Sequence, residues 1–281
     1  FAIRRQRQMC IRDSSIIILI QGDTGTALVY FSFFLVFLRE GLSVNYLILF
    51  LSMSIIFILG LLVDIYILYI VITIIFLVYV GVSIRDIRKI INSSILLVLA
   101  ILVINGQGFI LNNVLSERQK QRVETLVNPN LDPLGSGWNI TQSKIAIGSG
   151  GFTGKGFLKG TQTGLNFVPI QSTDFIFSVI GEEFGFIGSF FFITIYIIFL
   201  YRILFLSENQ KDRFARVFGY SIFSIYLFHF SVNISMTLGL FPVIGIPLPF
   251  VSYGGSSLLS FSLLLFVFLK LNSVKPSILA R

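Results

Sequence analysis

Seven apolar stretches of about membrane length divide this chain, and they leave few folds open to it. They run over residues 25–40, 45–63, 65–84, 91–115, 174–201, 216–238 and 254–271. A short eighth, 15–20, reads as the tail of a span whose beginning is absent. About 20 apolar residues in a helix suffice to cross a bilayer core. Charged residues make up only 12% of the chain, against about 25% in a soluble domain. Strands alternating lipid-facing and lumen-facing residues are not seen, which disfavours a transmembrane barrel. The expectation is an all-α polytopic membrane bundle of about seven complete spans and one partial span, with a long outer loop.

Three acids interrupt this apolar pattern. Asp174 stands where the polar loop 116–173 meets the run 174–201, and Glu182 and Glu183 lie inside that run. An Asp at a helix centre in a membrane costs about 2.5–3.5 kcal/mol, so intramembrane carboxylates are rare without a task. Asp174 admits two readings from its neighbours, a helix N-cap in the favourable field of the helix dipole and a reactive group. One residue can be both. Glu182 and Glu183 lie about 12–14 Å further along a helix, too far to form a close dyad with Asp174. Gly181, Gly185 and Gly188 around them favour a close helix contact, and the expected role is support, with one acid paired to a buried donor.

Lys and Arg in short loops set orientation. Arg85, Arg88 and Lys89 fall on one side with Arg202, Lys211, Arg213, Arg216, Lys270, Lys275 and Arg281, so that side and the C-terminus are expected to be cytoplasmic. Loop 116–173 and the irregular segment 239–253 then face outward. The outer loop is itself basic, through Arg118, Lys120, Arg122, Lys144, Lys155 and Lys159. Long loops translocate regardless of charge, and an outer cationic surface for an anionic ligand is the favoured reading. The net charge of +8 needs no nucleic-acid partner. One cysteine, Cys10, and one histidine, His229, exclude a Cys/His metal cage. Residues 1–14, rich in arginine, fit nothing downstream and read as an extraneous leader; 15–281 reads as a single transmembrane domain.

Two glycine-rich segments invite chemistry. Residues 148–156 miss the phosphate-loop spacing, because Ser149 stands five before Gly154 and Gly156 follows Lys155. A backbone nest for an anion and a flexible loop remain equal alternatives. Segment 245–256 holds Pro247, Pro249, Gly254 and Gly255 and cannot be a regular span; irregular backbone near a membrane is tolerated against protein or a wet cavity. His229, near Asn233 in an apolar helix, reads as a packing residue.

Taken together, residues 21–27, 132–138, 142–156, 173–177 with 181–185, and 245–256 resemble the SEDS family (shape, elongation, division and sporulation). Residues 159–163 (Lys159, Gly160, Thr161, Gln162, Thr163) look like its RodA branch, with the FtsW branch next. The resemblance runs from about residue 16 to 271. It implies a peptidoglycan glycosyltransferase that polymerises lipid II at the outer face of the bacterial cytoplasmic membrane. It also implies a class B penicillin-binding protein as partner within the elongation machinery, and a catalytic aspartate that carries over to Asp174. The sequence departs from the family at Ile170, where a glutamate is common, and the hairpin 45–84 is additional to the usual ten spans.

The implied donor is α-linked to a polyprenyl pyrophosphate and the product is β-1,4 linked, so a single inverting displacement is the simplest course. Asp174 is then the expected general base. Arg118, Arg122, Lys144, Lys155 and Lys159 are candidates for meeting pyrophosphate charge, with a divalent cation, Mg or Mn, as a further candidate. Thr173, Ser252 and Tyr253 are candidate substrate contacts. Glu182, Glu183, Asn233, Gly254 and Gly255 are expected as polar and small residues of the core. A lipid II flippase and a non-catalytic scaffold are the rival classes.

Overall fold

The computed structural model describes residues 17–18, 20–21, 24–82, 87–109, 113, 116–128, 132, 135–165 and 167–273, apart from a few side chains. The leader 1–14, Arg85, the side chains of Arg88, Lys89 and Arg118, and Lys275 and Arg281 lie outside what it describes. Every regular element among the described residues is helical. The helices are α1 (Thr24–Phe31), α2 (Phe34–Arg39), α3 (Val44–Leu62), α4 (Ile65–Val82), α5 (Ile87–Phe109), α6 (Glu117–Val127), α7 (Ser136–Ser149), α8 (Ile176–Glu208), α9 (Arg213–Thr237) and α10 (Gly255–Ser273).

Each expected span contains an apolar helix. Three of them, α8, α9 and α10, are long and apolar enough to cross a bilayer; Gly25–Arg39, Val44–Phe57, Ile65–Gly81 and Ser93–Phe109 are shorter apolar helical stretches. The chain is a multi-pass membrane helical bundle. The first span departs from a continuous helix: Ser32 and Phe33 donate to carbonyls three residues back, at Val29 and Tyr30, and this tighter turn separates α1 from α2.

The chain divides into two compact units, residues 42–128 and the remainder. In the first, α5 packs on α3 and α4. Gln107 is buried and donates to the Phe57 carbonyl at 2.8 Å, which a methyl at Gly60 would block. Helix α6 lies inside what the sequence reads as one long loop. The reason is a capping box, with the Gln119 side chain accepting the Ser116 N–H at 3.0 Å.

In the second unit α9 packs on α8 and α10. Tyr196, Phe199, Tyr226, Phe230, Phe250 and Phe261 fill the space between them. Tyr196 stacks on Phe230 with ring centroids 4.2 Å apart, and the Tyr226 hydroxyl donates to the Phe261 carbonyl at 2.6 Å. Gly219 lets α9 close on Ser207 and Phe268, since a Cβ there would sit 2.2 Å from the Ser207 Oγ. Asp212 caps α9 by accepting the Ala215 N–H at 2.9 Å. At that end Arg39 pairs with Glu208, and Glu40 pairs with Arg213 and Arg216, joining α2 to the α8–α9 connection.

Candidate functional site

The N-terminal end of α8 carries two carboxylates in opposite circumstances. Helix α8 breaks at Gly185, which has φ 64° and ψ −157°, a conformation that L side chains avoid. A break inside an apolar helix frees backbone groups that must be met within the protein. The glycine loop meets them. Phe186 and Ile187 would ordinarily donate to the carbonyls of Glu182 and Glu183. They donate instead to Gly151 (3.0 Å) and Phe152 (3.2 Å), while Lys155 N–H and Gly156 N–H take the two vacated carbonyls at 3.1 and 2.9 Å.

Residues 150–156 are therefore a splint across a broken helix. The approach is close enough that a Cβ at Gly150 would lie 2.0 Å from the Gly181 oxygen and one at Gly154 2.2 Å from the Glu183 oxygen. Both sequence readings of this loop need correcting. It is ordered, and the N–H groups of Gly150, Gly151, Gly154, Lys155 and Gly156 all donate to backbone carbonyls and do not converge on an external anion.

The backbone nest of this region lies a few residues later, and Glu182 occupies it. Its side chain is fully buried. Oε1 accepts from Lys155 Nζ at 2.7 Å, Thr161 N at 2.8 Å and Gln162 N at 2.9 Å. Oε2 accepts from Thr163 N at 2.9 Å and Thr163 Oγ1 at 2.8 Å. Lys155 thus serves Glu182, not a substrate phosphate as expected. Glu183 is also buried. Thr161, Gln162 and Thr163 carried the family resemblance, yet nothing in their pattern signalled that they wrap a carboxylate.

Asp174 is built differently. The N-cap of α8 is Phe175, with no side-chain cap, so the capping reading of Asp174 is not the one the fold uses. The turn ahead of the helix hangs on Ile170, a non-glycine at φ 57°, whose carbonyl accepts the N–H groups of Thr173 and Asp174, both at 3.2 Å. Three successive carbonyls then hold the turn from outside. Ser172 accepts from Tyr253 N at 2.8 Å, Thr173 from the Ser252 hydroxyl, and Asp174 from Asn233 Nδ2 at 2.9 Å. The half-buried carboxyl of Asp174 is raised in pKa by burial, with a hydrogen bond to the Thr173 side chain pulling the other way. Gly245, at φ 71°, brings the irregular segment's backbone alongside; a Cβ there would lie 3.4 Å from Asp174 Oδ2.

The other expected residues are distributed around this centre. Ser252 is buried and engaged with both Thr173 and the Leu248 N–H (2.8 Å), so its hydroxyl straps backbone. Tyr253 is 79% exposed. Lys144, on α7, is exposed and lies over Gly239, near the point where Ser143 Oγ donates to the Thr237 carbonyl at 2.8 Å. Lys159 is exposed. Arg118 and Arg122 belong to the other unit. A Cβ at Gly254 would meet Ser257, whereas one at Gly255 meets nothing within 4 Å. His229 packs as expected, with Nδ1 3.0 Å from the Pro247 carbonyl and its ring against Phe261. Among the described residues no group of three or more His, Cys, Asp or Glu gathers.

A model of the FtsW/RodA/SpoVE cell cycle protein family matches residues 62–275. The chain is 46% identical over 145 residues to a peptidoglycan glycosyltransferase RodA of Treponema pallidum, covering 52% of this chain and 34% of that protein. It is 47% identical over 146 residues to a peptidoglycan glycosyltransferase MrdB of Escherichia coli K12, covering 52% and 40%. A probable peptidoglycan glycosyltransferase FtsW of Trichlorobacter lovleyi is 45% identical over 139 residues, covering 50% and 36%. The matches thus span well under two thirds of these relatives' length. A chain of a solved peptidoglycan synthase complex aligns with 95% of this chain and 96% of its own length, at 20% identity and TM-score 0.45, too distant to inform the site.

Proposed function

The chain belongs to the FtsW/RodA/SpoVE cell cycle protein family, and from that premise we propose that it is a peptidoglycan glycosyltransferase polymerising lipid II during cell-wall elongation. The observation that carries this reading is Asp174: a half-buried carboxyl raised in pKa, on a turn held by three backbone hydrogen bonds at the mouth of α8. A base works best with its pKa drawn towards the operating pH. A base on a rigid turn also needs little reorganisation to reach its proton.

In the proposed reaction the Asp174 carboxylate takes the proton of the acceptor saccharide hydroxyl as its oxygen bonds to the donor's anomeric carbon. The bond from that carbon to the pyrophosphate oxygen breaks, its electron pair leaves with the pyrophosphate, and the configuration inverts from α to β. Asp174 then loses its proton to water. Lys144 and Lys159, both exposed, are the cations of this unit proposed to meet pyrophosphate charge, and Lys155 is excluded by its bond to Glu182. The lipid tail would stay in the bilayer with the pyrophosphate at headgroup level, the depth proposed for Asp174. The proposal places the protein in the bacterial cytoplasmic membrane, with the segment 116–173 outside, the C-terminus cytoplasmic and a class B penicillin-binding protein as transpeptidase partner.

The test is purified protein given lipid II in detergent and, separately, in liposomes. New glycan strands support the proposal. Lipid movement between leaflets without polymer indicates a flippase, and neither outcome indicates a scaffold; both contradict the proposed activity.

A further inference from the structure

Asn233 makes an arrangement that the family reading does not explain. Its side chain, on α9, is fully buried. Both amide hydrogens go to backbone carbonyls of separate segments, Asp174 at 2.9 Å and Ile246 at 2.8 Å. Among the described residues its Oδ1 has no partner. Rotating the amide by half a turn would set oxygen against two carbonyl oxygens, so the two acceptors fix the orientation that leaves Oδ1 unmet. A buried acceptor without a partner is a cost to stability. Local rules are broken in this way mainly where a site needs the resulting geometry.

That geometry concerns Asp174 directly. The amide holds the carbonyl of Asp174 itself, and through Ile246 it holds the segment whose Gly245 backs the carboxylate. We propose that Asn233 is a positioning residue for the Asp174 base, setting the distance between the carboxylate-bearing turn and the irregular segment. The inference rests on Asp174 being the base. It adds an electrostatic consequence: a donor on the Asp174 carbonyl draws negative potential away from the neighbouring carboxylate. Loss of that donor makes the carboxylate harder to ionise.

The experiment compares the full chain with Asn233→Leu, which keeps the branched shape without donors, and Asn233→Ser, which keeps one donor. Polymerisation of lipid II is measured against pH, and rates are normalised to folded, monodisperse protein. The leucine variant is expected to lose on the order of 100-fold in kcat, the effect of a displacement of about 1 Å, with KM unchanged. Its acid limb moves to higher pH, and the serine variant falls in between. Should the leucine variant not insert, the serine variant carries the same test. Wild-type kcat and acid limb per folded molecule, with only yield or melting temperature lowered, overturn the inference. A raised KM at wild-type kcat overturns it too, by making Asn233 a substrate contact. Asp174→Asn in the same assay separates the two levels: wild-type rates there remove the base reading itself, whatever Asn233 does.

Discussion

Asp174 and Glu182 sit eight residues apart at one end of one helix, and their surroundings could hardly differ more. Glu182 is fully enclosed and accepts hydrogen bonds from a lysine, three successive backbone N–H groups and a threonine hydroxyl. Asp174 is half-buried, and among the described residues its carboxyl receives a hydrogen bond from the Thr173 side chain; the other hydrogen bonds around it go to its backbone. A carboxylate whose lone pairs are all met is fixed in charge and place, so it holds structure. One left under-supplied on a rigid support can still take a proton. The same residue chemistry is thus divided into a clasp and a reactive group by the number of donors offered.

Four measurements break or sharpen this contrast. The largest effect belongs to the clasp. Glu182→Ala leaves the backbone N–H groups of residues 161–163 without that acceptor and the Lys155 ammonium without its counter-ion, and removing one partner of a buried pair costs about 3–5 kcal/mol. Lys155 is 26% exposed, which favours the low end. Chemical denaturation in micelles should report that loss, and an unchanged midpoint would dissolve the distinction. Gly185→Ala forces a Cβ into a glycine-only conformation, at about 1–3 kcal/mol for the backbone, and sets it 2.3 Å from the Gly154 nitrogen. Protease cutting between residues 150 and 163 should rise accordingly; unchanged protection would mean the splint is not held by this break.

The third concerns protonation. Burial raises the folded pKa of Asp174, and the base works only when ionised. Activity therefore falls as pH drops through that raised value, by about tenfold per unit below it, with the acid limb above the ordinary aspartate value. A limb at or below the ordinary aspartate value would contradict the burial argument. Smallest is Ser252→Ala, which removes one strap to the Thr173 carbonyl and the acceptor for Leu248 N–H, at about 1 kcal/mol. Hydrogen exchange at Tyr253 and Leu248 should quicken. If it does not, the irregular segment is held by other contacts.

The sequence made the membrane helices legible because apolar length leaves little else to fold into. The capping box at Ser116 and Gln119 is a local signal that reading residues 116–173 as one loop passes over, whereas α7 has mixed composition and Gly137 near its start, so periodicity is weak there. Asp174 was legible as exceptional by position alone. What could not be read was pairing across a loop: Thr161, Gln162 and Thr163 meet Glu182 only because Gly185 breaks α8 and residues 150–156 bridge the break. The three hydrogen bonds around the Asp174 turn likewise come from residues some 60–80 positions further on. Local pattern carries no record of such contacts.

The central claim is tested most directly by polymerisation of lipid II with Asp174→Asn beside the wild type, per correctly inserted molecule. The account predicts a loss of about 10²–10⁴-fold, the usual contribution of a general base, with insertion and thermal stability retained. Glycan strands made by Asp174→Asn at the wild-type rate would contradict it.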